Sequence, residues 1–134
     1  MKASELRIGN LIFDYAGRQI TIKKIDFPSE ILIYFIGCEE NHSEYNLNDI
    51  KPIRLTEEWL MKFGFKKKKY PNPRVWSYMY DFGFLSLRYH YFGLKNNRNY
   101  LISATECRWD NDIKYVHQLQ NLYFALTGEE LTIK

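Results

Sequence analysis

A chain of 134 residues with a hydrophobic fraction of 46% and a formal net charge of +3 has the size and composition of one ordinary globular fold or two very small ones. The aromatic share, 17%, is high and comes mainly from eleven Tyr and nine Phe, which excludes a disordered polymer. No apolar run approaches the ~20 residues of a membrane span, and the opening Met1-Lys-Ala-Ser-Glu-Leu-Arg lacks the apolar stretch of a signal peptide, so a cytoplasmic protein is expected. Two cysteines, Cys38 and Cys107, then read as buried thiols rather than a disulfide.

Charge is unevenly spread. Residues 1–50 hold five Lys+Arg against eight Asp+Glu, whereas residues 51–134 hold fourteen against eight. Such asymmetry marks either a docking face for an anion or two solvated surfaces.

In chain order, Asn10 to Asp14 predicts a strand, Tyr15-Ala-Gly17 a turn, and Gln19 to Asp26 a second strand with Ile20 and Ile22 on one face. Ile31 to Ile36 is a nearly continuous apolar strand, and a short apolar segment surrounds Leu47 and Ile50. Together they suggest a small curled sheet of SH3-like kind, with an acidic exposed loop at Glu39–Tyr45. Thr56 predicts a helix N-cap, Glu57 and Glu58 complement the positive helix end, Trp59, Leu60 and Phe63 form the buried stripe, and Gly64 supplies the C-cap.

Strand candidates follow at Val75–Tyr80 and Phe84–Tyr91, then at Tyr100–Ala104, with Lys95–Asn99 a polar loop. A second helix is expected over Asp112 to Leu126, capped by Asp110 or Asn111 and closed by Gly128, with Tyr115, Val116, Leu119, Leu122, Tyr123 and Leu126 facing a core. Leu131-Thr-Ile133 reads as a last short strand. The expected class is α+β: a small SH3-like β-barrel over residues 1–54, then an antiparallel sheet packed by the short helix and the long C-terminal helix over residues 55–134, the two parts sharing one core.

Two blocks, Ile50-Lys-Pro-Ile-Arg-Leu-Thr-Glu-Glu-Trp-Leu-Met-Lys-Phe-Gly-Phe65 and Ile113 to Leu131, together with Leu6-Arg-Ile-Gly-Asn-Leu11, carry a resemblance. The chain resembles an uncharacterised family of small proteins encoded by phages and mobile elements of gut anaerobic bacteria. That resemblance implies an accessory gene product working inside a bacterial cell, and it carries over no activity and no residue roles.

Chemistry is concentrated between Lys62 and Arg98, where nine basic residues stand against one acid, Asp81, among eleven aromatics. Cations beside flat rings grip phosphates and stack on bases. The candidate ligand-binding residues are therefore Lys66, Lys67, Lys68, Lys69, Arg74, Trp76, Arg88 and His90. The lysine run has a plainer explanation as an edge strand whose charges block aggregation.

The hairpin at Asp81-Phe82-Gly83 has two registers. A three-residue loop pairs Tyr80 with Phe84 and Trp76 with Arg88, presenting Trp76, Tyr78 and Tyr80 as a stacking platform. A loop of two or four residues puts those rings with Leu85, Leu87 and Tyr89 in the core and leaves Ser77, Ser86, Arg88 and His90 outside. The second segregates polar from apolar more cleanly, and the pattern favours it.

Other chemistry is thinly signalled. Cys38 and His42 lack the paired cysteines of a zinc site, Cys107 and His117 lack a nucleophile motif, and the adjacent pairs Glu39-Glu40, Glu57-Glu58 and Glu129-Glu130 do not span a cleft. His117 reads as a hydrogen-bonded histidine at the margin of the second helix's core face. No cofactor, no metal and no enzymatic activity are expected. The sequence points to a binding protein for nucleic acid or a nucleotide-like anion, or to a protein-interaction module such as an inhibitor of a host factor.

Overall fold

A computed structural model describes residues 1–26, 31–35, 42–69, 77–83, 85–90, 100–104 and 107–134. It is a mixed α/β protein with two five-stranded antiparallel sheets and a C-terminal helix. The described residues fall into two compact units, Met1–Arg54 with Tyr115–Glu130, and Leu55–Lys114 with Leu131–Lys134.

The first unit contains β1 (Leu11–Asp14), β2 (Gln19–Asp26), β3 (Ile31–Phe35), β4 (His42–Asn46) and β5 (Ile50–Pro52), in the order β4-β3-β2-β1-β5. Asp14 makes the first hairpin: its carboxylate accepts from the Arg18 backbone N–H at 2.8 Å and from Arg18 Nε at 2.7 Å. Burial pushes that carboxyl up, but the Arg18 hydrogen bonds and charge outweigh it and hold the pKa below the ordinary value. Ile20 and Ile22 share the buried face with Ile12, as period-two alternation requires, and Leu6, Tyr45 and Ile50 complete the cluster.

Tyr45 also corrects the acidic loop expected at Glu39–Tyr45. Residues 42–46 form an edge strand, because β3 takes a partner in full register from Ile31↔Asn46 to Phe35↔His42 and Tyr45 delivers a ring to the core. Residues 36–41 lie outside the described set. A 3-10 turn at Leu47–Asp49 brings the chain back so that β5 pairs with β1. Among the described residues no closed barrel is found; the sheet is open.

The long helix, α2 (Val116–Thr127), starts four residues later than Asp112. The Asp110-Asn-Asp112 run, which reads as a cap, lies instead in a strand, Cys107–Ile113, that pairs with Tyr100–Ala104. The extended path continues through Tyr115, which bridges Arg54, and Val116 N–H donates to Ile53 C=O at 2.9 Å. At the helix start the Gln118 side chain accepts from Tyr115 N–H, and Gly128 closes the helix with φ +74°.

The buried face of α2 is also rotated from expectation: Val116, His117, Leu119 and Gln120 are inside, while Leu126 is about half exposed, at 49%. Polar docking explains the rotation. Gln120 Oε1 accepts from Leu11 N–H at 2.8 Å and its Nε2 donates to Gly9 C=O at 3.2 Å. Asn10 donates to Asn121 Oδ1, and Asn121 donates to Glu5 C=O. These bonds belong α2 to the first unit, where the sequence reading grouped all of residues 55–134.

The second unit contains α1 (Glu57–Lys62) and the sheet β6 (Lys66–Lys69), β7 (Ser77–Phe82), β8 (Leu85–His90), β9 (Tyr100–Ala104) and β10 (Cys107–Ile113), in simple meander order. Thr56 caps α1 by accepting from Trp59 N–H. Gly64, at φ +89°, lets its own N–H reach Met61 C=O and Phe65 N–H reach Leu60 C=O, a Schellman ending that aims the chain straight into β6. Leu131–Lys134 is not a strand; Lys134 N–H instead donates to Lys62 C=O.

Candidate anion-binding edge

β7 and β8 pair with Phe82 opposite Leu85, Tyr80 opposite Leu87 and Tyr78 opposite Tyr89. Only positions 83 and 84 are left to connect the strands, and Gly83 takes the positive φ, +59°, that so tight a connection needs. Asp81 and Phe82 are therefore strand residues, not loop. Tyr80 is 2% exposed and lies on the buried face with Leu85 and Leu87, and Phe82 stacks on Phe65 with ring centroids 5.1 Å apart. The platform register is overturned: the Tyr80 ring is core, and no base can stack on it.

β6 ends the sheet. Among the described residues it pairs on one side only, with Lys66 opposite Asp81, Lys67 opposite Tyr80, Lys68 opposite Met79 and Lys69 opposite Tyr78. All four lysines are exposed. Alternation sends Lys66 and Lys68 to one face of the sheet and Lys67 and Lys69 to the other.

The four charges are not equivalent. Lys67 Nζ lies 2.7 Å from Glu57 Oε1 on α1, with the ammonium 6.0 Å from the Tyr80 ring centroid. The Lys67 hydrogen bond lowers the Glu57 pKa, with a further contribution from the Tyr80 hydroxyl, against a smaller opposing effect of burial. Lys68 Nζ lies 2.7 Å from Asp81 Oδ2, and Ser86 Oγ donates to the other oxygen of Asp81 at 2.7 Å. Burial pushes the Asp81 carboxyl up, yet Lys68 and Ser86 together hold it below the ordinary value. Pairs this exposed contribute ~0–1 kcal/mol to stability, so their main effect is on where charge is available. Among the described residues no ion pair involves Lys66 or Lys69.

The remaining candidates are distributed differently. Arg88 stands opposite Met79 in the row that begins at Lys68, and His90 stands opposite Ser77. Both are on the third strand in from the sheet end counting β6, so their backbones are ~10 Å from the lysine strand. Arg74 and Trp76 lie outside the described residues. The structure thus brings together the lysine run and two acids that the sequence reading assigned no part in it. Asp81 was visible as the lone acid of the basic stretch, and Glu57 had been explained fully by the helix end.

Elsewhere, His117 is buried at 1% exposure, stacks on Tyr115 with ring centroids 5.7 Å apart, and makes no hydrogen bond through either ring nitrogen. It is a core histidine, not the hydrogen-bonded boundary residue expected. Among the described residues no three His, Cys, Asp or Glu side chains converge as a metal site would require, and no helix is long and apolar enough to cross a membrane. No family model matches this chain, nor does any curated protein or solved structure match it.

Proposed function

We propose that this chain is a non-enzymatic binding protein of a phage or mobile element, working in the cytoplasm of a bacterial cell, and that β6 is the strand through which it engages an anionic partner. The observation that carries this reading is the division of the lysine run: two cations neutralised within the fold, and two, Lys66 and Lys69, exposed and in no ion pair among the described residues. A run serving only to keep the edge soluble has no need of internal counter-charges. The return of β5 to β1 through a 3-10 turn favours an SH3-like relationship for the first unit.

At β6 a nucleic acid or nucleotide-like anion would be held by phosphate contacts and not by stacking on Tyr80, which is buried. Such contacts position a ligand and do not read sequence. The second reading, a protein-interaction module acting for example on a host factor, is favoured by the terminal place of β6 in its sheet. An end strand turns backbone N–H and C=O groups outward, and a peptide strand answers both, whereas a phosphate chain answers only the donors.

Salt titration tests the shared electrostatic claim. For a labelled oligothymidylate of ~10 residues, two participating lysines give a slope of log K against log salt of about −1.4, and four give about −2.8. The smaller slope is expected. Binding that is absent at low salt, to this probe and to an acidic peptide alike, would remove the proposal.

A further inference from the structure

We infer that the partner of β6 is an extended acidic peptide segment that adds to the sheet as a sixth strand, with two acidic residues three positions apart and uncharged residues between them. The inference rests on the reading of β6 as the anion contact and narrows it to one class of partner.

Backbone geometry comes first. β6 pairs with β7 through every one of its four residues, in an unbroken register with no bulge, so it presents a regular template on its other side. Edge strands with this regularity are hazards unless charge guards them. Four lysines guard against a second copy of the same strand, because like charges directly opposite each other are destabilising. The same four charges favour an acidic strand.

Side-chain rows then fix the pattern. Residues opposite each other in neighbouring strands point to the same face, so an acid opposite Lys66 shares the face of Asp81, and an acid opposite Lys69 shares the other. Between them, an acid opposite Lys67 or Lys68 would meet an ammonium already held at 2.7 Å by a carboxylate of the fold, Glu57 for Lys67 and Asp81 for Lys68. Adding a second negative charge there sets repulsion against an attraction already satisfied. The accessible attraction is thus at the two ends of the strand, on opposite faces. Acids at positions i and i+3 of an extended segment have that disposition, whether the segment runs parallel or antiparallel.

The test uses the full chain and three fluorescein-labelled probes: an eight-residue peptide of Thr and Val carrying two Glu three apart, its isomer with the two Glu adjacent, and the oligothymidylate. The expected result is tighter binding of the spaced peptide than of the isomer by about fivefold, with new protection from amide exchange confined to residues 66–69. Equal binding of the isomers, or binding without new protection, overturns the strand-addition inference. If the oligothymidylate binds with a salt-dependent affinity and neither peptide does, the anion-binding reading stands and this inference falls; if no probe binds, both fall. Circular dichroism of Lys66→Glu/Lys69→Glu establishes that it is folded, and that folded variant must lose the spaced peptide.

Discussion

Lys68 reaches from the sheet edge to Asp81, Nζ 2.7 Å from Oδ2, so the one acid of the basic stretch is spent on its neighbouring strand. With Lys67 held by Glu57, the formal charge of the lysine run overstates what a partner meets. Charge counted along a sequence and charge available at a surface differ here by about half.

The buried ring gives the first prediction. Tyr80→Ala leaves a cavity beside Leu85 and Leu87 and is expected to cost ~3–5 kcal/mol in denaturant unfolding. Tyr80→Phe keeps the ring and loses the hydroxyl's bond to Glu57, costing ~1 kcal/mol. Near-equal stability of Tyr80→Ala and wild type would mean that the ring is not core.

A second comparison concerns the face of α2. Gln120→Ala strands the Leu11 N–H and the Gly9 C=O and is expected to destabilise by ~1–3 kcal/mol. Leu126→Ala, at an exposed position, should stay within ~0.5 kcal/mol. The reverse order in thermal unfolding would restore the face read from apolar periodicity.

Stability should also respond to mild acid through His117. Burial lowers its pKa; Glu5 opposes this and the N-terminal ammonium adds to it. The unfolded chain binds the proton first, so the stability is fully present above the ordinary value of 6.5 and is lost as pH falls from there toward the lower folded value. Thermal midpoints between pH 7.5 and ~5 should fall for wild type and less for His117→Leu; parallel curves would count against a buried neutral imidazole. Asp81 and Glu57, whose folded pKa values are lowered, act in a separate window: their contribution is present above 3.8 and 4.5 and disappears as pH drops through the folded values.

Much of the fold was legible because its signals are local. Ile20 and Ile22 two apart, Thr56 before two glutamates, and Gly64 after Phe63 each specify geometry within a few residues, and β2 and β9 run as read. What failed depends on distant partners. Asp110-Asn-Asp112 has the composition of a helix cap and is drawn into a strand whose end, Asp112 and Ile113, pairs with Leu101 and Tyr100. Gln120 and His117 are buried because β1 offers backbone groups to the first and a ring stacks on the second, neither of which periodicity records. For the site, the charge of Lys66–Lys69 and the core register of the hairpin were readable, whereas the pairing of Lys67 and Lys68 required α1 and β7 to be in place.

In the proposed binding mode Lys66 and Lys69 contact the partner while Lys67 and Lys68 are engaged within the fold. Fluorescence anisotropy of the spaced-glutamate peptide against Lys66→Ala/Lys69→Ala and against Lys67→Ala/Lys68→Ala, both checked for a native thermal midpoint, tests it most directly. The first variant is expected to lose about tenfold or more in affinity and the second less than about threefold. Equal losses, or a larger loss in the second, would contradict it.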